Sequence, residues 1–176
     1  IAQLNRNLGS MPLVGGNSAE LIADYMESLR SMTEEIDAAT RSVHVEFYIM
    51  SVDEETEPFF AALGRAVERG VTVRVLFDHV ASLRVRGYRS MLRRLDAIGA
   101  LWHRMLPVRP WRGQYQRPDL RNHRKFLIID GRVAFTGSQN LIERTYHRGP
   151  HWSGRLEWKE LMVRFEGPIV AGVDAL

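Results

Sequence analysis

The hydrophobic pattern near the start of the chain is that of an amphipathic helix. Apolar side chains recur every three or four positions between residues 21 and 36, which is the spacing of one helix face. The pattern predicts a helix from residue 19 to about residue 40, capped by Asn17 or Ser18. Residues 1–17, which are rich in Asn and Gly, are predicted to form an irregular lead-in.

Short runs of β-branched and aromatic residues then alternate with helical segments. Such runs are typical of strands, and each helical segment ends at a glycine, which favours the conformation of a helix C-terminus. The predicted helices span residues 55–69 and 87–98. The predicted strands are VHVEFYIM (43–50), VTVRVLFD (71–78) and LWHRML (101–106). This alternation favours an α/β fold whose early strands are parallel.

In the second half of the chain, strands follow one another more directly. After a loop with three prolines (107–122), the runs RKFLIID and RVAFT meet at Asp130-Gly131, which predicts a hairpin with a type I′ turn. The run WKELMVRF (158–165) predicts a last strand, and a helix is predicted after it. The predicted fold class is therefore α/β, one domain over residues 18–176 with a mixed sheet flanked by helices on both faces.

Composition sets limits on this fold. With 176 residues, 45% of them hydrophobic and 26% charged, the chain can bury the core of one domain but is too short for two of ordinary size. Cysteine is absent, which excludes disulfides and thiolate metal sites, and no apolar run is long enough to span a bilayer. We expect a segment of a longer protein, because the sequence starts without Met and stops inside a predicted helix.

Basic residues crowd one stretch of the chain, although the formal net charge is only +3. They lie in and beside the loop that leads to residue 123, and this concentration predicts attraction of an anionic substrate or surface. The residues are Arg104, Arg109, Arg112, Arg117, Arg121 and Arg124.

The candidate chemistry lies in residues 122–140 (NHRKFLIIDGRVAFTGSQN), the signature segment, where polar residues stand in an almost wholly apolar frame. On a predicted strand, His123 and Lys125 point to the same face. An imidazole beside an ammonium suits phosphate, because the lysine neutralises the oxygens while the imidazole attacks or exchanges a proton. The same ammonium repels cations, so we expect neither a metal nor another cofactor.

Four further polar residues have more than one possible role. Ser138 and Asn140 either complete a phosphate cradle with nearby backbone N–H groups or merely cap a helix. Asp130 either contributes to the chemistry or only shapes the Asp-Gly turn. Glu160 lies in the predicted last strand among apolar neighbours, where an unpaired carboxylate is costly. We therefore expect Glu160 to have a partner, and a histidine ring nitrogen is a good candidate.

These residues carry a resemblance to a known family. The segments PLVGGN, VHVEFYIM, GVTVRVLFD, RNHRK and WKELMVRFEGP resemble those of bacterial cardiolipin synthases, and the similarity covers roughly residues 11–172. The signature segment matches, without a gap, the HxKxxxxDxxxxxxGSxN pattern of the phospholipase D superfamily, to which those synthases belong. The matching residues are His123, Lys125, Asp130, Gly137, Ser138 and Asn140.

The resemblance implies a two-step, metal-independent transfer of a phosphatidyl group. One histidine attacks the phosphodiester and forms a phosphohistidine intermediate, a second histidine protonates the leaving alcohol, and another alcohol then takes the phosphatidyl group. Glu160 is implied to orient the motif histidine, as the aspartate of a Ser-His-Asp triad does. The implied catalytic residues are His123, Lys125, Asp130 and Glu160. The implied phosphate-binding residues are Lys125, Ser138 and Asn140.

The resemblance also extends to two regions outside the signature segment. Glu46 matches an acidic position of the family's early strand, and its role is left open. Arg109, Trp111 and Tyr115 fall in a loop that either meets lipid or is an ordinary surface loop.

The sequence holds one signature, whereas enzymes of this kind bring two together. The resemblance therefore implies a second signature, either in another half of a longer chain or in a homodimer mate. The implied partners are an anionic phospholipid, such as phosphatidylglycerol, and the surface of a bacterial cell membrane, which the protein reaches through segments not present in this chain. No nucleic acid is expected as a partner.

Two alternatives stay open: a homodimeric phosphodiesterase or nuclease of the superfamily, and a phosphate-binding half-domain that is inactive on its own.

Overall fold

A seven-stranded sheet runs through the computed structural model, which describes residues 14–117, 119–146 and 157–175. In chain order the strands are β1 (Ser18–Ile22), β2 (Ser42–Phe47), β3 (Thr72–Asp78), β4 (Leu101–Met105), β5 (Phe126–Ile129), β6 (Val133–Gly137) and β7 (Met162–Glu166). Side by side they lie in the order β1-β7-β6-β5-β2-β3-β4.

The sheet is mixed, as predicted. β2, β3 and β4 are parallel to one another, and helical segments connect them, as parallel neighbours require. The pairs β2–β5, β5–β6, β6–β7 and β7–β1 are antiparallel. β2 is therefore the junction between a parallel half and an antiparallel half of the sheet.

The helices in the described part of the chain are α1 (Tyr25–Asp37), α2 (Glu57–Glu68), α3 (His79–Leu83), α4 (Tyr88–Ala97) and α5 (Ile169–Asp174). α2, α4 and α5 lie where the sequence predicts helices, and α2 carries its proline in the first turn. The short helix α3 was not predicted. It starts because the Asp78 carboxylate accepts a hydrogen bond from the backbone N–H of Ala81 at 2.9 Å.

Helices pack on both faces of the sheet, which confirms the predicted fold class. On one face, α1, α2 and α4 bury a large core that includes Met32 and Phe60, both fully inaccessible to solvent. On the other face, Val170 of α5 packs against Ile128 of β5 and Ala134 of β6.

The prediction of a helix from residue 19 is wrong over its first residues. Residues 18–22 instead form β1, an edge strand that pairs with residues 162–166. The helix itself begins only at Tyr25. A strand whose partner lies so far along the chain leaves little local signal, because strand preference depends on the neighbours that a strand meets in the fold.

The predicted helix caps differ for the same reason. The residue that caps α1 is Asp24, whose carboxylate accepts from the backbone N–H of Glu27 at 2.8 Å. The side-chain oxygen of Asn17 instead accepts a hydrogen bond from the N–H of Ile169, the first residue of α5, at 2.8 Å. Residues 1–13 of the predicted lead-in lie outside the described residues.

Two strands are shorter than predicted, and this affects the candidate site. β5 begins at the residue after Lys125, so neither His123 nor Lys125 lies on a strand, and β7 begins two residues after Glu160. The neighbouring strands β2 and β6 end at Phe47 and Gly137. The β2–β5 and β6–β7 pairings stop at these ends, so His123, Lys125 and Glu160 lie outside the paired strands.

The predicted Asp130-Gly131 hairpin turn is confirmed. Both residues have positive φ angles, 55° and 63°, as expected of a type I′ turn. The Asp130 carboxylate accepts from the N–H groups of Thr40, Arg41 and Ser42 at 2.7 to 2.9 Å. Burial acts to raise the pKa of this carboxyl, but the hydrogen bonds outweigh burial and lower the pKa to about 2. The turn is thereby tied to the segment that enters β2.

We expect Asp130→Asn to lower the free energy of unfolding by about 2 kcal/mol, because hydrogen bonds to a charged group are worth roughly 1.5–3 kcal/mol. A lowered folded-state pKa gives stability that is complete above the unfolded-state pKa of about 3.9 and is lost as the pH falls toward about 2. Urea unfolding near neutral pH and again between these two pKa values measures the difference between wild type and variant.

The difference should shrink on acidification. Glu20→Gln removes a carboxylate from the exposed edge strand β1 and is the control, with little expected change at either pH. An Asp130→Asn variant as stable as wild type at neutral pH would contradict this account of the turn.

Candidate active site

Strand ends meet at one edge of the sheet, and most of the predicted site residues gather there. Pairing places the start of β5 beside the ends of β2 and β6, and the start of β7 beside the end of β6. His123 and Lys125 directly precede β5. Ser138 and Asn140 follow β6, and Glu160 precedes β7. We call this edge of the sheet the signature edge.

Asp130 lies at the opposite end of β5 from the signature edge. Nearly extended chain covers roughly 3.3 Å per residue, so the seven steps from His123 to Asp130 span about 23 Å. The structure therefore does not bring Asp130 together with His123. Asp130 was predicted either to contribute to the chemistry or to shape the Asp-Gly turn. Its hydrogen bonds support the second role.

The imidazole of His123 stacks on the ring of Tyr48, the residue that follows β2. The ring centroids are 3.7 Å apart and the ring planes are inclined by 23°. The Lys125 ammonium lies 5.4 Å from the centroid of the same tyrosine ring and donates to the carbonyl oxygen of His123 at 2.7 Å. The two residues are therefore held together by Tyr48 and by this hydrogen bond, and not by a shared strand face.

Sequence reasoning missed Tyr48. An aromatic residue at the end of an apolar strand is ordinarily part of a core, and its neighbour in the site lies 75 residues further along the chain. Only the antiparallel pairing of β2 with β5 brings the two segments to the same edge.

Lys125 is buried, whereas His123 is exposed. Burial lowers the pKa of the Lys125 ammonium, while the negative charge of Glu160 acts to raise it. An ammonium with little water around it attracts an incoming anion more strongly than an exposed one, because the attraction is less screened. The pair thus presents an accessible imidazole beside a charge suited to phosphate.

Ser138 and Glu160 are joined directly. The Ser138 hydroxyl donates to the Glu160 carboxylate and accepts from the backbone N–H of Leu161 at 3.0 Å. Glu160 therefore has a partner, as predicted, and the hydrogen bond found is with the Ser138 hydroxyl. The orientation of His123 by Glu160 stays a prediction.

Gly137 allows β6 and β7 to approach closely beside this pair. A Cβ atom at this position would lie 2.0 Å from the carbonyl oxygen of Leu161 and 2.9 Å from the Cα atom of Met162. Both are backbone atoms of the paired segment, so they cannot move aside without disturbing the β6–β7 ladder. The glycine of the Gly-Ser pair is therefore required because any larger residue would clash with the backbone of β7 and the residue before it.

Asn140 is buried and uses both ends of its amide inside the protein. Its oxygen accepts from the N–H of Ile49 at 3.2 Å, and its nitrogen donates to the Tyr146 hydroxyl at 3.2 Å. Residues 138–146 contain no helix, so the alternative in which Ser138 and Asn140 cap a helix is wrong. Phosphate binding by these two residues stays a prediction.

A buried ion pair anchors the segment before the signature histidine. The Arg121 guanidinium lies 2.7 Å from the Asp78 carboxylate, with side chains 6% and 0% exposed. Arg121 is therefore part of the frame, and the prediction that it attracts an external anion is wrong. Glu46, whose role was open, accepts from the side-chain amide of Asn122 at 2.8 Å. These two contacts fix residues 121 and 122, which directly precede His123 at the signature edge.

Within the described ranges, no group of three or more His, Asp or Glu side chains is placed to hold a metal ion. No helix in these same ranges is long and apolar enough to cross a membrane. His147 and His151 lie outside them.

The chain is similar in sequence to bacterial proteins of known name. A family model described as cardiolipin synthase, PLD-like domain, matches residues 32–157. Cardiolipin synthase A of Proteus mirabilis (strain HI4320) is 32% identical over 174 residues, which cover 96% of this chain and 34% of that protein. Cardiolipin synthase A of Erwinia tasmaniensis is 33% identical over 162 residues, covering 89% and 32%. The chain thus spans about a third of the length of these relatives.

Solved structures share the fold. Nuc from Salmonella typhimurium, a phospholipase D family member, aligns with a TM-score of 0.65 at 19% identity, and the alignment covers 90% of each chain. Phosphatidylserine synthase of Haemophilus influenzae Rd KW20 aligns with a TM-score of 0.58 at 14% identity, covering 94% of this chain and 38% of that one. At such identities the likeness concerns the fold alone.

We expect the Tyr48 ring to move the imidazole C–H proton resonances of His123 upfield, because an aromatic face shields protons stacked on it. Tyr48→Leu should return them toward the ordinary histidine range, whereas Tyr48→Phe keeps the ring and should leave them in place. Such a stack contributes roughly 0.5–1.5 kcal/mol, so Tyr48→Leu should also destabilise the fold slightly. Proton NMR measures the shifts, with His123→Gln identifying the peaks. Equal shifts in Tyr48→Leu and wild type would rule out the stack.

Proposed function

Because the chain belongs to the cardiolipin synthase family of PLD-like domains, we propose that its signature edge transfers a phosphatidyl group from one alcohol to another. The observation that carries the proposal is that the exposed imidazole of His123 and the buried ammonium of Lys125 both lie against the ring of Tyr48. A nucleophile and a phosphate-binding charge are thereby held by one tyrosine. The relatives named cardiolipin synthase A point to a phospholipid as the substrate class.

In the proposed first step, a ring nitrogen of His123 attacks the phosphorus atom of the donor phosphodiester. A nitrogen–phosphorus bond forms, the bond from phosphorus to the leaving glycerol oxygen breaks, and a second histidine donates a proton to that oxygen. Lys125 neutralises the phosphate oxygens as negative charge develops on them. Its ammonium would repel a metal ion beside His123, so we propose that the chemistry is metal-independent.

In the proposed second step, the second histidine takes a proton from the acceptor hydroxyl. The acceptor oxygen attacks phosphorus, the nitrogen–phosphorus bond breaks and His123 is released. With phosphatidylglycerol as both donor and acceptor, the products are cardiolipin and glycerol. Water in place of the acceptor alcohol gives hydrolysis.

Three further residues are proposed to support this chemistry. Glu160 orients His123, and its charge already favours the charged form of Lys125. The Ser138 hydroxyl, which donates to Glu160, can turn to donate to a phosphate oxygen when substrate enters. Asn140 completes the phosphate site from the segment that its own hydrogen bonds hold in place.

The second histidine is proposed to come from a second signature. No other histidine of the 176 residues is followed by a lysine two positions later. A second half in a longer chain or a homodimer mate would supply it. We also propose that the site works at a bacterial cell membrane, where its phospholipid substrate lies.

The arginines favour one alternative, a homodimeric phosphodiesterase or nuclease. Arg112, in the loop that leads to His123, and Arg124, directly after His123, are exposed, and their charges would attract a nucleic acid backbone as well as a lipid headgroup. A domain that binds phosphate without turnover is the second alternative, because half a site lacks its general acid. Product analysis separates all three.

We expect His123→Gln to reduce phosphatidyl transfer at least about 10³-fold, since it removes the nucleophile. Lys125→Gln should reduce transfer by about 10²–10³-fold, the usual effect of losing one group that stabilises developing charge. The assay supplies phosphatidylglycerol vesicles to the natural full-length protein and measures cardiolipin and glycerol by mass spectrometry. His44→Gln, which changes a histidine of β2 that pairs with Asp174 of α5, is the control and should keep full activity.

Parallel incubations of the same protein with DNA and with inorganic phosphate complete the test, and three outcomes then distinguish the possible functions of the site. Retained transfer in His123→Gln would contradict the mechanism. Cleavage of DNA without cardiolipin formation would favour the nuclease. Phosphate binding without either product would favour the inactive half-domain.

A further inference from the structure

The loop between β4 and β5 closes into a tight hairpin over residues 109–114. The N–H of Arg109 donates to the carbonyl of Gln114 at 2.6 Å, and the N–H of Gln114 donates back to the carbonyl of Arg109 at 3.2 Å. A single 3-10 turn, Pro110–Arg112, forms the bend, and Gly113 closes it with a φ of 67°. The tip of this hairpin is therefore held in one shape by its own backbone.

The hairpin presents an indole at its tip. The Trp111 side chain is 79% exposed, the highest fraction of any large hydrophobic side chain in the described part of the chain. Tyr115, directly after the hairpin, is 63% exposed. Tryptophan and tyrosine are the residues that favour the interface between water and lipid, because each combines an apolar ring with a polar group.

The charged residues of the hairpin, Arg109 and Arg112, are both positive. Arg112 beside the indole is exposed, and Arg109 is half-buried at the base of the hairpin. No Asp or Glu occurs in the sequence between residues 97 and 118. A cavity of about 270 Å³ opens beside the hairpin, and its basic lining residues are His103, Arg104 and Arg109. Such a cavity has the size and charge for the phosphate of a lipid headgroup.

The base of the loop is fixed at the signature edge. The loop follows the end of β4, which lies at the same edge as the end of β2. The N–H of Val108 donates to the Nδ1 atom of His79 at 3.2 Å. Arg121, in its buried pair with Asp78, donates to the carbonyl of Leu106 at 2.8 Å. A surface bound by the hairpin would therefore lie near the opening of the candidate active site.

We propose that the 109–114 hairpin docks the protein on an anionic phospholipid bilayer. Trp111 enters the interfacial layer, Arg112 pairs with lipid phosphates, and Arg109 holds a headgroup phosphate in the cavity beside it. The hairpin is already closed, so little conformational freedom is lost when it binds. Bilayer binding stands on these residues alone, whereas its use in presenting substrate to His123 rests on the proposed function.

Binding of the 176-residue chain to vesicles tests the proposal. Vesicles of phosphatidylcholine mixed with phosphatidylglycerol should bind, and vesicles of phosphatidylcholine alone should bind at least about tenfold more weakly. Trp111→Ala should weaken binding to the mixed vesicles by about tenfold. Arg112→Gln should weaken it by about fivefold, and added salt should remove that difference.

Two variants at the opposite edge of the sheet are the matched controls. Leu101→Ala removes a side chain that is 62% exposed at the start of β4. Arg132→Gln removes a largely exposed arginine beside the Asp130-Gly131 turn. Neither variant should change vesicle binding by more than about twofold, the scale of an ordinary surface substitution.

A label at the tip provides a second measurement that does not depend on affinity. The chain has no cysteine, so Trp111→Cys and Leu101→Cys each give one site for a nitroxide. On mixed vesicles, the label at position 111 should be shielded from a water-soluble relaxation agent, while the label at position 101 stays accessible. Equal accessibility of both labels on bound protein would overturn the proposal.

Two further outcomes separate bilayer docking from a nucleic acid surface and from the proposed phosphatidyl transfer. Suppose that Arg112→Gln weakens vesicle binding, that Trp111→Ala does not, and that the protein binds single-stranded DNA as tightly as vesicles. This result would overturn the proposal in favour of a nucleic acid surface. Vesicle binding that depends on Trp111, in a protein that transfers no phosphatidyl group, would support this inference and contradict the proposed function.

Discussion

The register of the β5–β6 hairpin is the constraint on which the site depends. Side chains alternate between the two faces of a sheet, so a slip by one residue would turn every side chain of β5 to the wrong face. The Asp130 carboxylate opposes such a slip, because it accepts from three successive N–H groups at the entrance to β2. With the register fixed there, Lys125 arrives beside Tyr48 at the opposite end of the strand.

The site itself is built from the segments just beyond the strand ends. The paired strands hold these segments at fixed spacings, while residues outside the ladder are free to differ in exposure. His123 is therefore accessible although Lys125, two residues away, is buried. The charge of Glu160 partly offsets the effect of burial on the Lys125 pKa. An accessible imidazole, a poorly solvated ammonium and a nearby carboxylate together form a site suited to phosphoryl transfer.

Much of this fold could be predicted from local pattern. The Asp130-Gly131 turn, α2 and α4 each carry their own signals, and the signature segment identified four of the residues that gather at one edge, His123, Lys125, Ser138 and Asn140. Pairing over long distances could not be predicted, because its signal lies in a partner elsewhere in the chain. That limit explains the errors in β1, in the strand assignment of His123 and in the missed Tyr48 stack. It also explains why Arg121, which pairs with Asp78, was taken for a surface charge.

If His123 is the nucleophile, a covalent intermediate forms on its imidazole and can be trapped. The natural full-length protein would be mixed with a short-chain phosphatidylglycerol, quenched in alkali because phosphohistidine is acid-labile, digested and analysed by mass spectrometry. We expect a phosphatidyl adduct on the peptide that contains His123, and no adduct on that peptide in His123→Gln. An adduct on a different residue, or turnover without any adduct on His123, would contradict the role of His123 as the nucleophile.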